Sequence, residues 1–192
     1  MEQKKNWKII HYNIERYPFR LWVSDTLNVS DLEHLHQNEE CQQFANHFER
    51  IEHCRNKLKT NFAEITPVFQ QFVKQELSPL WGEILLYQNP PTFRFHFDGD
   101  PTISAFHRDR DYGMPTDWLN VWLPVTHVWG NNTVWVESQE GLEDFSPMEL
   151  TPGEALVFDG GSLLHGSVRN DTGSTRVSMD FRFSPSKRPE LN

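Results

Sequence analysis

The sequence predicts an α+β fold in which a helical N-terminal part supports an antiparallel β-sandwich or barrel. Apolar residues recur at helical spacing between residues 38 and 78, which is the pattern of amphipathic helices. From Trp81 onward the apolar runs are short or alternating, with Gly, Pro, Asn and Asp between them, as in antiparallel sheets. No Pro/Gly/Ser-rich boundary separates the parts, so we expect one domain over 1–192, with helical support in 1–80 and a core of strands in 81–186.

The first 29 residues hold two short apolar runs, at 7–10 and 19–23. We interpret them as one or two strands or an irregular leader. The tetrapeptide Ser30-Asp31-Leu32-Glu33 has the form of a capping box, which predicts the start of a short helix.

Two helices are predicted next, over 38–60 and 61–78, with a break near Thr60-Asn61. Pro67 falls in the first turns of the second helix and shifts its expected start. The apolar positions of both helices recur at helical spacing: Phe44, Phe48, Ile51, Leu58, Phe62, Ile65, Phe69 and Phe72.

About eight strands are predicted after Trp81, and their spacing favours a sandwich or barrel. Their ranges are 83–87, 92–97, 103–107, 119–128, 133–137, 155–158, 165–168 and 176–183. In the last of them every odd position is apolar, whereas the even positions are Arg176, Ser178, Asp180 and Arg182. The simplest interpretation is a sheet with one wet face.

Composition restricts the partners. The formal net charge is −9 and no basic run is present, so we expect no nucleic-acid partner. No stretch approaches 18 apolar residues, so no membrane span is expected. The charged N-terminus has no apolar signal region.

If Cys41 and Cys54 share one helix, they lie roughly 20 Å apart, too far for a disulfide. We therefore expect a reduced, cytoplasmic protein.

The chemistry is indicated by three motifs: His107-Arg108-Asp109, His165-Gly166 and Arg176-Val177-Ser178. Two imidazoles and one carboxylate can occupy one face of an octahedral Fe(II) and leave positions open for a cosubstrate and O₂. The first two ligands are expected at a strand end, where alternation directs both to one side. Gly166 allows a close approach of the backbone, so the predicted metal ligands are His107, Asp109 and His165.

An arginine completes the pattern, 11 residues beyond the second histidine motif. That interval accommodates a strand, a hairpin turn and a return, which would bring Arg176 beside the metal. Its guanidinium can bind a carboxylate through two charged hydrogen bonds. His96-Phe97-Asp98 is a second His-x-Asp sequence, and we favour His107 over His96. The metal motif also favours a cavity of a double-stranded β-helix, with the polar strand face turned inward and the apolar face under the helices.

The stretch from about 81 to 186 resembles the Fe(II)/2-oxoglutarate-dependent dioxygenases, and in particular the streptomycin-biosynthesis-type oxygenase group. The similar segments are 107–113, 120–124, 134–138, Phe158-Asp159-Gly160 with His165-Gly166, and 176–182. The resemblance implies a double-stranded β-helix (jelly-roll, cupin-like) core. It also implies hydroxylation of an unactivated C–H bond, with O₂ consumed and 2-oxoglutarate converted to succinate and CO₂.

Further site residues follow from this interpretation. Arg176 is the expected anchor of the distal carboxylate of 2-oxoglutarate, and Ser178, Thr133 and Asn120 are further candidates for binding it. The candidates for lining the substrate pocket are Arg94, Trp122, Trp135, Glu137 and Arg182. The acids Glu137, Asp180 and Asp111 favour a cationic small polar metabolite as substrate, unless arginines pair with them.

Three alternatives stay open. A weaker similarity to the aspartyl/asparaginyl β-hydroxylases would make the substrate a peptide or protein side chain. A cupin-like metal-dependent isomerase generally needs more histidines and no arginine after the last of them. A non-catalytic binding barrel would tolerate loss of any metal ligand.

Overall fold

A computed structural model describes residues 6–187, and it places a layer of helices against antiparallel β-structure. The helices are α1 (Phe19–Leu27), α2 (Glu39–Gln42), α3 (His47–Asn61), α4 (Thr66–Phe72) and α5 (Ser78–Trp81). A π-helical turn, Val73–Leu77, joins α4 to α5. None of the helices in this part of the chain is long and apolar enough to cross a membrane.

Nine strands form two antiparallel sheets within the described residues. They are β1 (Trp7–His11), β2 (Ile84–Tyr87), β3 (Thr92–His96), β4 (Leu119–Pro124), β5 (Trp135–Val136), β6 (Ser146–Pro147), β7 (Glu154–Phe158), β8 (His165–Gly166) and β9 (Arg176–Pro185). The large sheet has the order β1-β7-β4-β9-β2, and β3 also pairs with β9; the small sheet has the order β6-β5-β8. The predicted combination of helices with antiparallel sheets is therefore confirmed.

Strict alternation along the central strands gives the large sheet two different faces. In β9 the odd positions are buried in one apolar cluster with the helices: Val177, Met179, Phe181 and Phe183. Alternate positions of β4 and β7 do the same, whereas Trp122, Leu156 and Phe158 turn to the opposite face. Because the side-chain period of a strand is two, the polar even positions of β9 face away from the helices, as predicted.

A second, smaller apolar cluster lies on that opposite face. It joins Trp122 and Phe158 of the large sheet to Val134, Val136 and Leu163, and Val136 belongs to the small sheet. The two sheets are thus held together by apolar burial on one side of the large sheet, and the helices cover its other side.

The N-terminal part differs from the sequence prediction in three respects. Residues 19–23 form part of helix α1 rather than a strand, because Phe19, Trp22, Val23 and Leu27 bury one helical face. No helix starts at Ser30-Asp31: the Asp31 carboxylate instead accepts the backbone N–H of His34 in a turn. Residues 7–11 do form a strand, and β1 pairs with β7 of the large sheet.

The long helix predicted over 38–60 is divided into α2 and α3. The Asn46 side chain caps α3 by accepting from the Glu49 N–H, an N-cap that stops the chain from continuing the earlier helix. Phe48 consequently lies in the first turn with its side chain 69% exposed, not in the core. The predicted break near residue 60 is confirmed, and Pro67 lies in the first turn of α4.

The expected distance of roughly 20 Å between the two cysteines was wrong, because they do not share one helix. Cys41 lies on α2 and Cys54 on α3. Their Sγ atoms are 3.7 Å apart in the buried helical layer, and both are free thiols. The break at residues 43–46 turns the chain back, so a sequence separation of 13 does not become a long distance in space.

Among the strands, the predicted range 119–128 ends at Pro124 as β4, and three further ranges shorten or disappear. Residues 103–107 are irregular apart from one bridge at His107, 133–137 contain only β5, and 165–168 contain only β8. The short strand β6 was not predicted, because Ser146-Pro147 has no apolar alternation. The division of the chain at residue 80 stays a prediction.

Prediction for the core. Phe72 is fully buried, and its ring meets those of Tyr12, Tyr17 and Phe19 edge-on at 5.4–5.6 Å between centroids. We expect Phe72→Ala to lower the free energy of unfolding by about 3–5 kcal/mol in urea titrations. The matched control is Phe48→Ala at an exposed position, where the change should stay within about 0.5 kcal/mol. Equal effects of the two substitutions would contradict the assigned core.

Candidate metal centre

Three side chains from two distant segments meet at one place. One possible ligand atom each of His107, Asp109 and His165 lies within 4.8 Å of the others. Asp109 begins a 3₁₀ turn, Asp109–Tyr112, and His165 begins β8. Reciprocal backbone hydrogen bonds, 3.0 and 3.1 Å long, join His107 to His165. The ligands are therefore placed by a two-residue bridge and a tight turn, not by alternation along a strand.

Gly166 permits this close approach, as predicted. A Cβ at this position would lie 2.9 Å from both the backbone N and the Cα of Phe106. Real Cβ atoms essentially never come that close to backbone, so a side chain there would push β8 away from the segment that ends in His107. The glycine is thus needed for the distance between the two imidazoles.

Both histidine rings are oriented by carbonyl groups. Nδ1 of His107 lies 2.7 Å from the Ala105 carbonyl oxygen, and Nδ1 of His165 lies 3.0 Å from that of Leu163. A carbonyl can only accept, so each Nδ1 donates its proton, and in the neutral form of each ring Nε2 presents a lone pair. Those Nε2 atoms are 3.5 and 3.9 Å from Oδ1 of Asp109. Burial lowers the pKa of His165 to about 4, which keeps this ring neutral and able to bind a cation.

Asp109 is a buried carboxylate with three strong donors. Its Oδ2 accepts from Asn120 Nδ2 and Arg182 Nε, both at 2.7 Å, and its Oδ1 accepts from Arg182 Nη2 at 2.8 Å. Burial acts to raise the pKa of Asp109, but the hydrogen bonds with His107, Arg182 and Asn120 outweigh it and hold the pKa well below its usual range. Its hydrogen bond in turn raises the pKa of His107; when both rings are neutral, the carboxylate and the two imidazoles form a donor set that fits Fe(II).

Asn120 reaches Asp109 only because residue 160 has no side chain. A Cβ on Gly160 would lie 2.5 Å from Asn120 Nδ2 and 2.7 Å from its Cγ. The neighbouring Gly161 has more room, since a Cβ there would meet nothing closer than 3.4 Å. This contact gives a physical reason for the glycine of the Phe158-Asp159-Gly160 motif.

Glu137 fixes the two ligand segments relative to each other. It is fully buried, and it accepts from the Arg108 guanidinium at 3.0 Å and from the Leu164 N–H at 2.6 Å. The N–H groups of Gly141 and Glu143 bind its other oxygen. Arg108 lies between the ligands of the first motif, and Leu164 directly precedes the histidine of the second. The predicted role of Glu137 in the substrate pocket is therefore corrected: all four partners belong to the chain itself.

Arg176 is a charged side chain that is almost completely buried. It is only 2% exposed, and its Nε is buried without a hydrogen-bond partner among residues 6–187. Its guanidinium lies 5.8 Å from the ring centroid of Trp122. Burial, assisted by the positive charge of Arg94, lowers the pKa of Arg176 to about 9. A buried cation that forms no ion pair lowers the stability of the folded protein. An anion that binds at this position would therefore be stabilised.

Arg176 and the histidines line one cavity with about 500 Å³ of empty space that opens to solvent. Its other walls are Arg94, Ser104, Asn120, Trp122, Val134, Phe158, Gly166, Ser167, Asp180 and Arg182. The predicted pocket residues Arg94, Trp122 and Arg182 are therefore at the cavity. Asn120 and Arg182 are also bound to Asp109, so they act on the carboxylate ligand as well as on the cavity.

Three further candidates lie elsewhere. Thr133 is fully buried and donates its hydroxyl to the Met148 carbonyl at 2.6 Å. Neither Thr133 nor Trp135 is among the residues lining the cavity, which corrects their predicted binding roles. Ser178 shares the strand face of Arg176, and its buried Oγ has no partner in the described part of the chain; it does not line the cavity either.

The alternative histidine, His96, is kept apart from the cluster. It is fully buried at the end of β3, and its Nε2 lies 3.0 Å from the Pro101 carbonyl oxygen. Its sequence neighbour Asp98 accepts the Gly173 N–H. The geometry thus supports the choice of His107.

Sequence reasoning missed the residues that shape the centre without charge. Phe158 meets the His165 ring edge-on at 5.0 Å, and Tyr112 meets the His107 ring at 5.3 Å. Phe158 had a usable signal, since it occupies an even position of a buried strand next to the glycine motif. Tyr112 had no signal from alternation, because it ends the 3₁₀ turn Asp109–Tyr112.

Comparison with known proteins agrees with this geometry. No family model matches the chain. The streptomycin biosynthesis protein StrG of Streptomyces griseus is 31% identical over 183 residues, which cover 95% of this chain and 87% of StrG.

Solved structures share the fold. The non-heme monooxygenase ThoJ in its nickel complex has a TM-score of 0.57 at 15% identity, over 98% of this chain and 77% of ThoJ. CytC3 with Fe(II) and α-ketoglutarate has a TM-score of 0.56 at 14% identity, over 95% and 74%. HygX from Streptomyces hygroscopicus, with nickel and 2-oxoglutarate bound, has a TM-score of 0.54 at 10% identity, over 97% and 85%.

The fold is shared with these solved structures, and the cluster of two histidines and one carboxylate is a donor set that fits Fe(II). The chain belongs to the family of the streptomycin biosynthesis protein StrG. The resemblance to the streptomycin-biosynthesis-type oxygenases is thereby confirmed.

Prediction for the carboxylate ligand. Gly160→Ala should displace the Asn120 amide from Asp109 and weaken Fe(II) binding by about 10–100-fold in anaerobic titrations, the usual effect of losing a partner of a metal ligand. Gly161→Ala is the matched control, because a methyl group there has room. If the two variants bind Fe(II) equally well, the Asn120 contact does not position the carboxylate.

Proposed function

We propose that the chain is an Fe(II)- and 2-oxoglutarate-dependent oxygenase that hydroxylates an unactivated C–H bond of a small polar metabolite and releases succinate and CO₂. The observation that carries the proposal is the buried guanidinium of Arg176, which forms no ion pair in residues 6–187 and shares a cavity with His107 and His165, the two histidines that cluster with Asp109. The ligands in the CytC3 and HygX structures, a metal ion with 2-oxoglutarate, support it.

In this proposal each residue has a defined task. His107, Asp109 and His165 hold Fe(II) through two Nε2 atoms and one carboxylate oxygen. Bound iron would supply a site for O₂ and pass electrons to it, the net reducing equivalents coming from 2-oxoglutarate and the substrate C–H bond. Arg176 binds the distal carboxylate of 2-oxoglutarate, because a planar guanidinium can donate two parallel hydrogen bonds to it.

The cavity walls contribute orientation and exclusion of water. The Trp122 ring beside Arg176 limits the directions that the guanidinium can take. Phe158 and Val134 add apolar surface beside the two polar ends of the cavity. A partly dry cavity strengthens each charged contact inside it, because the local dielectric constant is low.

The same proposal includes the predicted double-stranded β-helix. Its support is the apolar cluster between the two sheets, to which β4, β5 and β7 contribute. The cavity opens on this side of the large sheet, where the polar even positions of β9 lie. In this arrangement the helical layer supports the other side of the large sheet and is not part of the site.

The structure removes the sequence-based argument for a cationic substrate. Glu137 is bound internally, as described above. Asp180 is paired with Arg94, and Asp111 is exposed and accepts the Arg108 N–H. None of the three is an unpaired acid at the cavity, so a positive charge on the metabolite is no longer part of the proposal.

Prediction for the metal ligands. Protein with Fe(II) and 2-oxoglutarate should develop a weak visible charge-transfer band under anaerobic titration, at one iron per chain. His107→Ala and His165→Ala should each abolish the band and turnover while far-ultraviolet circular dichroism stays unchanged, because each removes one of three metal bonds. His96→Ala is the matched control and should retain the band. Loss of iron in His96→Ala with retention in His107→Ala would refute the assignment.

Prediction for the cosubstrate anchor. Arg176→Lys keeps the charge but loses the planar fork, so the affinity for 2-oxoglutarate should fall about tenfold or more, equivalent to about 1.4 kcal/mol. Titration of the same charge-transfer band measures it. Arg16→Lys, at an exposed position, is the control and should leave the affinity unchanged. An unaltered affinity in Arg176→Lys would exclude the anchor role.

A further inference from the structure

A second cavity lies outside the first and is continuous with it. Both are lined by Arg94, Ser104, His107 and Arg182, and the outer one adds residues that include Tyr112 and Met114. Tyr112 is 74% exposed, so this region is the mouth of the site. A substrate must therefore pass or contact these shared residues on its way to the metal centre.

Arg94 is placed at the junction of the two cavities. It lies on β3, opposite Ser178 of β9 in register, and its side chain is 32% exposed. Only its Nε is hydrogen-bonded, to the carboxylate of Asp180. No hydrogen bond from either Nη group is found within residues 6–187. A guanidinium has five N–H donors, so most of the donors of Arg94 are left for a ligand.

The charges around the cavity favour an anion at this point. The lining residues of the two cavities include the arginines Arg94, Arg176 and Arg182 and the aspartates Asp109 and Asp180, which leaves one positive charge in excess. The charge of Fe(II) and that of the 2-oxoglutarate dianion cancel each other. The excess therefore persists in the loaded site, where a third anionic group would be stabilised.

The position of Arg94 separates this anion from the cosubstrate. Arg176, at 2% exposure, lies in the deep part of the cavity and does not line the mouth. Arg94 lines both. One carboxylate of 2-oxoglutarate is assigned to Arg176 and the other end to the metal, so the mouth side of Arg94 faces the space left for the substrate.

We infer that Arg94 binds an anionic group of the substrate, a carboxylate or a phosphate, and so selects small anionic metabolites; this inference rests on the proposed function. The contact is a charge-assisted pair of hydrogen bonds from the Nη groups. Asp180 holds the guanidinium in place through Nε. The residue is thus a specificity determinant, and its pairing with Asp180 leaves its donors available.

The test uses full-length protein loaded with Mn(II) and saturating 2-oxoglutarate. Inorganic phosphate and, separately, ¹³C-labelled acetate are added, and paramagnetic broadening of their ³¹P and ¹³C resonances by the bound Mn(II) is measured. In the wild type at least one anion should be broadened. Arg94→Gln should reduce its affinity by about tenfold or more, whereas the control Arg16→Gln should not change it.

A double variant covers the case in which Arg94→Gln leaves Asp180 unpaired and destabilises the fold. Arg94→Gln with Asp180→Asn replaces the ion pair by two neutral amides and should show the same loss of anion binding. The inference is overturned if the variants bind the anion as the wild type does, or if neither anion is broadened. It is also overturned if saturating 2-oxoglutarate displaces the anion, since the anion then occupies the place of the cosubstrate.

The Fe(II)–2-oxoglutarate charge-transfer band, recorded on the same proteins, separates the two hypotheses. If the wild type shows no band, the proposed function fails and the inference fails with it. If the band is present but anion binding does not depend on Arg94, only the inference fails. A large loss of 2-oxoglutarate affinity in Arg94→Gln would assign Arg94 to the cosubstrate and likewise overturn the inference.

Discussion

The geometry of the centre depends on one buried carboxylate, that of Glu137. The two ligand-bearing segments are far apart in sequence, and neither lies in a long strand. Glu137 joins them by accepting the Arg108 guanidinium on one side and the Leu164 N–H on the other. A fully buried carboxylate with four donors is well compensated. Removing it would leave Nη2 of Arg108 and three backbone N–H groups without their acceptor, and the two ligand segments would no longer be joined through one side chain.

The buried charge of Arg176 is compensated much less well than that of Glu137. No carboxylate among the described residues forms an ion pair with it, the charge of Asp180 offsets its burial only in part, and the nearby positive charge of Arg94 adds to the cost. The apolar packing of the odd β9 positions under the helices holds the strand, and with it the guanidinium, in place. The folded protein thus keeps at the cavity a cation whose burial costs free energy. An anionic ligand that binds there would offset this cost.

How far the sequence predicts this site depends on the type of element. The even-position residues of β9 were placed correctly, because alternation along a long, half-buried strand is a strong signal. The cluster of His107, Asp109 and His165 was predicted from residue type and spacing. The strand that was expected to carry the first two of them is not formed. Residues 103–107 are irregular, and a bridge to His165 replaces the expected alternation. Glu137 was misplaced for the same reason. In a strand of two residues, alternation does not reveal which buried partners a carboxylate will find.

The pairing register of β4 with β9 determines which side chains surround Asp109. In the pairing of β4 with β9, Asn120 lies opposite Arg182, and both donate to Asp109. Arg176 lies six residues before Arg182 on the same face of β9. A slip of one residue would turn every one of these side chains toward the helices. The apolar residues between them, buried in the large core, oppose that slip, so the packing of the helical layer holds Asn120, Arg176 and Arg182 at one cavity.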